Sequence, residues 1–278
     1  MKKIKIAILD LYNNEKNEGM RCIREIVGEV ISSNSQLEIS SDVFDIRYKN
    51  EIAGSDYDIF ISSGGPGSPF EGVGTVWEKN YFNLIDKIWD HNQSSAELKK
   101  HAFFICHSFQ MMARHFRFAE VNKRYEKSFG IISFLRTETG KYDLLLKNLN
   151  DPFYAADFRD FQVVEPDTAV IRELDAKVLA VENPSEINGH LPALMAVRIT
   201  NEIAGTQFHP EADAESMLYH FRQEARKLHV VEKYGEEKYY EMIRLLKDPD
   251  AIVRTRQNVL PVFLQNAVDS LSTVLSDK

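Results

Sequence analysis

The stretch FFICHSFQMMA, residues 103–113, sets an apolar run against a helix-compatible run, with Cys106 at the junction. HAFFIC, residues 101–106, reads as a short strand buried on both faces, because continuous apolar runs of this length belong to parallel sheets. A helix is predicted to begin immediately after Cys106. The thiol would then sit at the carboxyl end of a strand and the amino end of a helix. Ligands of open α/β sheets bind at strand carboxyl ends. The free N–H groups and dipole of a helix amino end favour a thiolate. The commoner reading of a lone cysteine is a small buried hydrophobe, so Cys106 needs partners before it counts as a nucleophile.

Working outward, KIKIAIL (residues 3–9), residues 37–45 and YDIFIS (residues 57–62) also read as strands. Residues 18–31 place Met20, Ile23, Ile26, Val27 and Val30 at helical spacing, with Cys22 among them as a core thiol. Residues 77–90 read as a second helix. The order β-α-β-β-α-β predicts a doubly wound, mostly parallel sheet with helices on both faces. GIISFLRTE, VLAVEN, ALMAVRI and EIAGTQF add strands between residues 129 and 207. From residue 213 the pattern is helical. Met217, Leu218, Phe221, Ala225 and Leu228 form one apolar stripe, and Leu260, Phe263, Leu264, Ala267, Val268, Leu271 and Leu275 form another. The expected division is a domain over residues 1–212 and a helical C-terminal extension over 213–278. The second stripe is too large to leave in water, so it is expected to bury against the first domain or a second copy of the chain. Pro261 would fall in the first turn of that last helix, capped by Asn258.

The 278 residues carry a net charge of −8, 44% hydrophobic and 27% charged, which fits a soluble globular protein. The acidic balance argues against nucleic acid as the main partner, since a phosphate backbone calls for a basic surface. No apolar run reaches the roughly 20 residues that span a bilayer. Two cysteines cannot build a secreted disulfide framework, and MKKIKIAILDLYNN reads as a first strand without a cleavage site. A cytoplasmic location is expected. No metal or organic cofactor is expected either, because histidine and cysteine show no ligand spacing.

Two further motifs bear on Cys106. In TQFHPEAD, residues 206–213, Pro210 forces an extended backbone at His209. Residues i and i+2 of an extended segment point the same way, so His209 and Glu211 can meet as base and orienter. In SSGGPGSP, residues 62–69, adjacent glycines follow a strand and leave backbone N–H groups bare for a developing oxyanion. It has neither the spacing nor the lysine of a nucleotide-binding loop.

SGGPGSP, FICHSFQ and GTQFHPE, in this order and spacing, resemble the class I, triad-type glutamine amidotransferases over roughly residues 3–215. The resemblance implies a flavodoxin-like fold and hydrolysis of the γ-amide of glutamine or a γ-glutamyl compound through a cysteine thioester. Cys106 would be the nucleophile, His209 the base and Glu211 its orienter. The backbone N–H groups of Gly65 and His107 would form the oxyanion hole, and Gln110 would contact the substrate. The residues after Ala212 are too few for a fused synthase, so a free-standing member is expected. Its partners would be a small-molecule substrate and either a separate synthase subunit or a second copy of the chain.

The sequence departs from the family pattern at Phe104 and Ser108, where members have the elbow glycines. Arg159, within FRDF, replaces a family histidine; a solvated arginine is expected, with pairing to a carboxylate near the cleft as the alternative. Phe109 and Phe161 are expected to form an apolar wall suited to a modified γ-glutamyl compound. His107 directly after the cysteine also occurs in the cysteine-peptidase and deglycase branch of the same superfold. A non-catalytic regulatory homologue is the remaining alternative.

Overall fold

The computed structural model describes residues 3–187 and 190–276. The first half of the chain runs β1 (Ile4–Asp10), α1 (Gly19–Ser33), β2 (Ile39–Asp45), β3 (Ile59–Ser62), α2 (Val76–Gln93), β4 (His101–Ile105) and α3 (His107–Phe116). It continues through β5 (Ala119–Arg136), α4 (Glu138–Tyr142), β6 (Phe153–Pro166), α5 (Thr168–Glu173), β7 (Lys177–Glu182), β8 (Leu194–Arg198) and β9 (Ile203–Thr206). Among the described residues, five α-helices follow: α6 (Ala214–Arg222), α7 (Glu224–Tyr234), α8 (Glu236–Leu246), α9 (Arg254–Asn258) and α10 (Leu260–Ser276).

The nine strands among the described residues form one sheet in the order β2-β1-β3-β4-β9-β8-β7-β5-β6. The pairs from β2 across to β9 are parallel. The pairs from β9 onward to β6 are antiparallel. β3 and β4 are buried at every position, as their unbroken apolar sequences require. α1 turns Met20, Cys22, Ile23, Ile26, Val27 and Val30 onto one face of the parallel half. α2 and α3 cover the other face with Tyr81, Leu84, Ile85, Ile88, Phe109 and Met112. Each such side chain contributes about 1.5–3 kcal/mol of transfer free energy.

The helical extension divides between two faces. α6, α7 and α8 pack Phe221, Val230, Tyr239, Met242 and Leu245 over Ile131 and Ala156 of the β5–β6 arm. α10 returns to the parallel half and lies beside α1. Its Leu260, Phe263, Leu264, Ala267, Val268 and Leu271 join Ile6, Ile23 and Phe103 in one core. The apolar stripe is therefore buried within the chain itself; the side chain of Leu275 lies outside the described residues. Pro261 does fall in the first turn of α10. Asn258 instead ends α9, its side-chain amide donating to the Arg254 carbonyl at 2.8 Å, so it does not serve as the expected cap.

Candidate active site

Four loops at the carboxyl ends of the parallel strands converge on Cys106. The cysteine stands between β4 and α3 with φ 49° and ψ −99°, a conformation that L-residues rarely adopt. The surroundings hold it there. Its N–H donates to the Thr206 carbonyl of β9 at 2.8 Å, and the Gln110 N–H closes the first turn of α3 onto the Cys106 carbonyl at 3.0 Å. Ser108, which replaces a family glycine, adds a tie. Its hydroxyl accepts from the Ile105 N–H at 2.7 Å and lies 2.8 Å from the Ser62 carbonyl, so β3 and the elbow are joined. Phe104 finds room because Gly205 is its partner across the β4–β9 ladder. A Cβ at Gly205 would lie 2.7 Å from the Phe104 carbonyl oxygen and 3.0 Å from its Cβ.

His209 and Glu211 follow β9, as Pro210 predicts. The His209 N–H donates to the Ala156 carbonyl at 2.9 Å, which fixes the loop to β6. Its Nδ1 meets Glu211 Oε1 at 2.8 Å, leaving Nε2 free for a thiol. Burial opposes charge on this ring, but Glu211 and Cys106 outweigh it and raise the His209 pKa well above its ordinary value. Glu211 itself is buried, with Oε2 unpartnered.

The glycine turn packs directly against this pair. A Cβ at Gly64 would stand 2.9 Å from His209 Cε1, and one at Gly65 would stand 2.5 Å from the Leu11 carbonyl oxygen. Only bare backbone fits at both positions. Arg47 clamps the turn from behind, donating to Leu11 O at 3.1 Å and Pro66 O at 2.8 Å. His107 opens α3, where its N–H has no carbonyl one turn earlier to accept it. Its side chain is buried away from the cleft. Burial, reinforced by Arg47 and Arg114, pushes its imidazole down to about 3.

Cys106, Gly65, His209 and Glu211 share a cleft of about 800 Å³. Gln110 does not line it. Its amide donates to Phe161 O at 3.1 Å and Gln207 Oε1 at 3.3 Å, and Gln207 Nε2 lies 3.8 Å from Cys106 Sγ. Gln110 thus reaches Cys106 through Gln207. Phe109 and Phe161 do not form the expected wall. Phe109 is buried between α3 and Gly205, and Phe161 packs on Phe70 at 6.3 Å between centroids. The aromatic side of the cleft comes from Phe129, Phe158 and Phe221 instead. Arg159 is not solvated. It is buried between Asp157, whose Oδ2 is 2.9 Å from its Nε, and Glu182. Glu182 also pairs with Arg124 at 2.7 Å.

Tyr12 enters the site without a sequence motif to announce it. A Cβ at Gly19 would lie 2.3 Å from its hydroxyl and 3.3 Å from Glu211 Oε1, so both groups crowd the start of α1. Burial, with Glu211 and Cys106 nearby, raises its pKa well above the usual phenol value. Tyr12 is therefore a neutral hydroxyl beside the carboxylate. Its place just past the end of β1 is the one signal that could have found it.

The family profile described as glutamine amidotransferase class-I matches residues 22–225. A glutamine amidotransferase from Thermotoga maritima superposes with a TM-score of 0.66 at 15% identity, covering 97% of this chain and 100% of its own. One from Methylobacillus flagellatus gives 0.65 at 14% identity, covering 98% and 96%. The glutaminase domain of a Trypanosoma brucei CTPS, solved with acivicin, gives 0.53 at 13% identity, covering 75% and 86%. No curated protein matches the chain in sequence. The first two superpositions span the C-terminal helices as well as the sheet. With the motif order, the elbow and the profile all in agreement, the chain belongs to the class I glutamine amidotransferase family.

Proposed function

We propose that the chain hydrolyses the γ-amide of glutamine or a γ-glutamyl compound, with Cys106, His209 and Glu211 as the catalytic triad. The observation that carries this reading is Cys106 held at φ 49° in the cleft that His209 and Glu211 line. Cys106 Sγ attacks the γ-carbonyl carbon while His209 holds the thiol proton. The Gly65 and His107 N–H groups receive the developing oxyanion, a contribution of about 10²–10³ in rate for each such donor. His209 then gives its proton to the departing nitrogen, and a thioester remains. Water, deprotonated by the same ring, cleaves the thioester to the carboxylate. Glu211 orients the imidazole and stabilises its charge throughout. Gln110 supports the nucleophile through Gln207.

The ties at Ser108 and the room left by Gly205 weaken the non-catalytic alternative, because they answer the loss of the elbow glycines. The buried His107 side chain weakens the deglycase-like alternative. Where ammonia is the product of value, a separate synthase subunit would be its recipient. Residues from α6 and α7 line one side of the cleft, while α10 packs beside α1. The test is incubation with a glutamine-mimicking electrophile followed by peptide mass analysis. Labelling of Cys106 alone, together with glutamate release from glutamine or γ-glutamyl amides, is the expected result. No label on Cys106 and no glutamate would sink the proposal.

A further inference from the structure

The side of the cleft that receives the leaving group is aromatic, which is more than ammonia requires. His209 returns the proton to the departing nitrogen, so the leaving group exits on the His209 side. That side is continuous with β6. The His209 N–H is bonded to the Ala156 carbonyl, and both Ala156 and Phe158 line the cleft. Residues i and i+2 of a strand share a face, so Phe158 extends the same surface outward from the histidine.

Phe129 is the cross-strand partner of Phe158, with ring centroids 5.2 Å apart. Phe221 of α6 closes on both, 6.0 Å from Phe129 and 6.4 Å from Phe158. Met217 and Val230 complete the apolar lining from α6 and α7. The helical extension therefore supplies half of this wall. At about 800 Å³ the cleft is in the range that encloses drug-sized ligands, well beyond what glutamine fills.

We propose that Phe129, Phe158 and Phe221 form a leaving-group pocket that selects γ-glutamyl amides of arylalkyl amines. The pocket rests on the hydrolase reading above for its orientation relative to His209. In the reaction the amide C–N bond breaks as the Cys106 C–S bond forms, and the amine leaves with the His209 proton. Water then cleaves the thioester, giving glutamate and restoring the thiol. An aryl ring against the three phenylalanines is removed from water, and offset or edge contacts between aromatic rings add to that burial.

The experiment compares γ-glutamyl-benzylamide with γ-glutamyl-methylamide, two amides of primary alkylamines that differ in the ring. The native protein is expected to prefer the benzylamide in kcat/KM by roughly thirtyfold, the scale of burying one phenyl group. Phe158→Leu and Phe221→Leu retain apolar packing but remove the ring, and each is expected to lower that preference about threefold or more. A preference near one, or one that neither variant changes, overturns the pocket. A binding arm uses Cys106→Ala protein, which needs no turnover. There the benzylamide is expected to bind about tenfold more tightly than the methylamide, and equal or undetectable binding of both overturns the proposal. If the benzylamide binds tightly while the native protein cleaves neither amide, the pocket stands and the hydrolase reading falls.

Discussion

The two ends of the sheet are built from different residues and do different work. The parallel end is apolar, with β3 and β4 buried at every position, and delivers the elbow, the glycine turn and the His209–Glu211 loop from strand carboxyl ends. The antiparallel end finishes in a long two-stranded arm, β5 and β6, polar along much of its length, with α6, α7 and α8 packed on one side. On the proposed reading, chemistry belongs to the first and substrate shape to the second. A rigid apolar scaffold can hold a strained cysteine, whereas an edge arm can change its aromatic lining without disturbing that strain.

Variants at the two ends should fail in different ways. Cys106→Ala removes the proposed nucleophile, and turnover is expected to fall by about 10⁴-fold or more with the fold retained. Activity within tenfold of the native rate would break the division of labour at its centre. Arg159→Met at the antiparallel end is expected to act on stability first. It strips a cation from the buried Asp157 and Glu182 carboxylates, a loss of about 3–5 kcal/mol. Denaturant titration reads this, and an unchanged midpoint would show that the buried pairs hold nothing together.

Glu211→Gln is expected to lower kcat by about 10²-fold, less than loss of the nucleophile. It also tests sign. Glu211 raises the His209 pKa, so removing its charge lets that pKa fall. The imidazolium is then lost at lower pH, and the alkaline limb of the pH–rate profile should move down. A limb that stays in place would remove Glu211 from the role of orienter. Ser108→Ala should cost the least, about 1–3 kcal/mol of stability, by leaving the buried Ile105 N–H without its acceptor. Thermal unfolding checks it, and no change would mean that the elbow does not depend on this tie.

The same contrast explains what the sequence disclosed. The parallel end was legible because unbroken apolar runs such as HAFFI and IFIS allow few other placements, and because Pro210 and the paired glycines restrict the backbone locally. β6 was not foreseen, and neither was the charged first half of β5, AEVNKRYEKS. That segment is solvated at an edge, so periodicity carries no core signal there. Phe109 and Phe161 were placed in the cleft by closeness to motifs, yet packing sent Phe109 inward and Phe158 into the cleft. Arg159 looked solvated because its partners, Asp157 and Glu182, are joined to it only by the fold. Tyr12 carried no motif at all.

The return of α10 to the side of α1 has a consequence for biosynthesis. A chain emerging from the ribosome can pair β1, β3, β4 and β9 once residue 206 has been made. On one face of that sheet α1 is then in place but α10 is not. Ile6, Ile23 and Phe103 share their core with Leu260, Phe263, Leu264 and Val268, which arrive more than a helix-bundle later. The nascent protein therefore carries an unfinished greasy surface through the synthesis of α6 to α9, the interval in which a holdase chaperone would have most to bind. Chains arrested near residue 253 should bind such a chaperone, chains arrested well past residue 271 should have released it, and equal binding by both would rule this timing out.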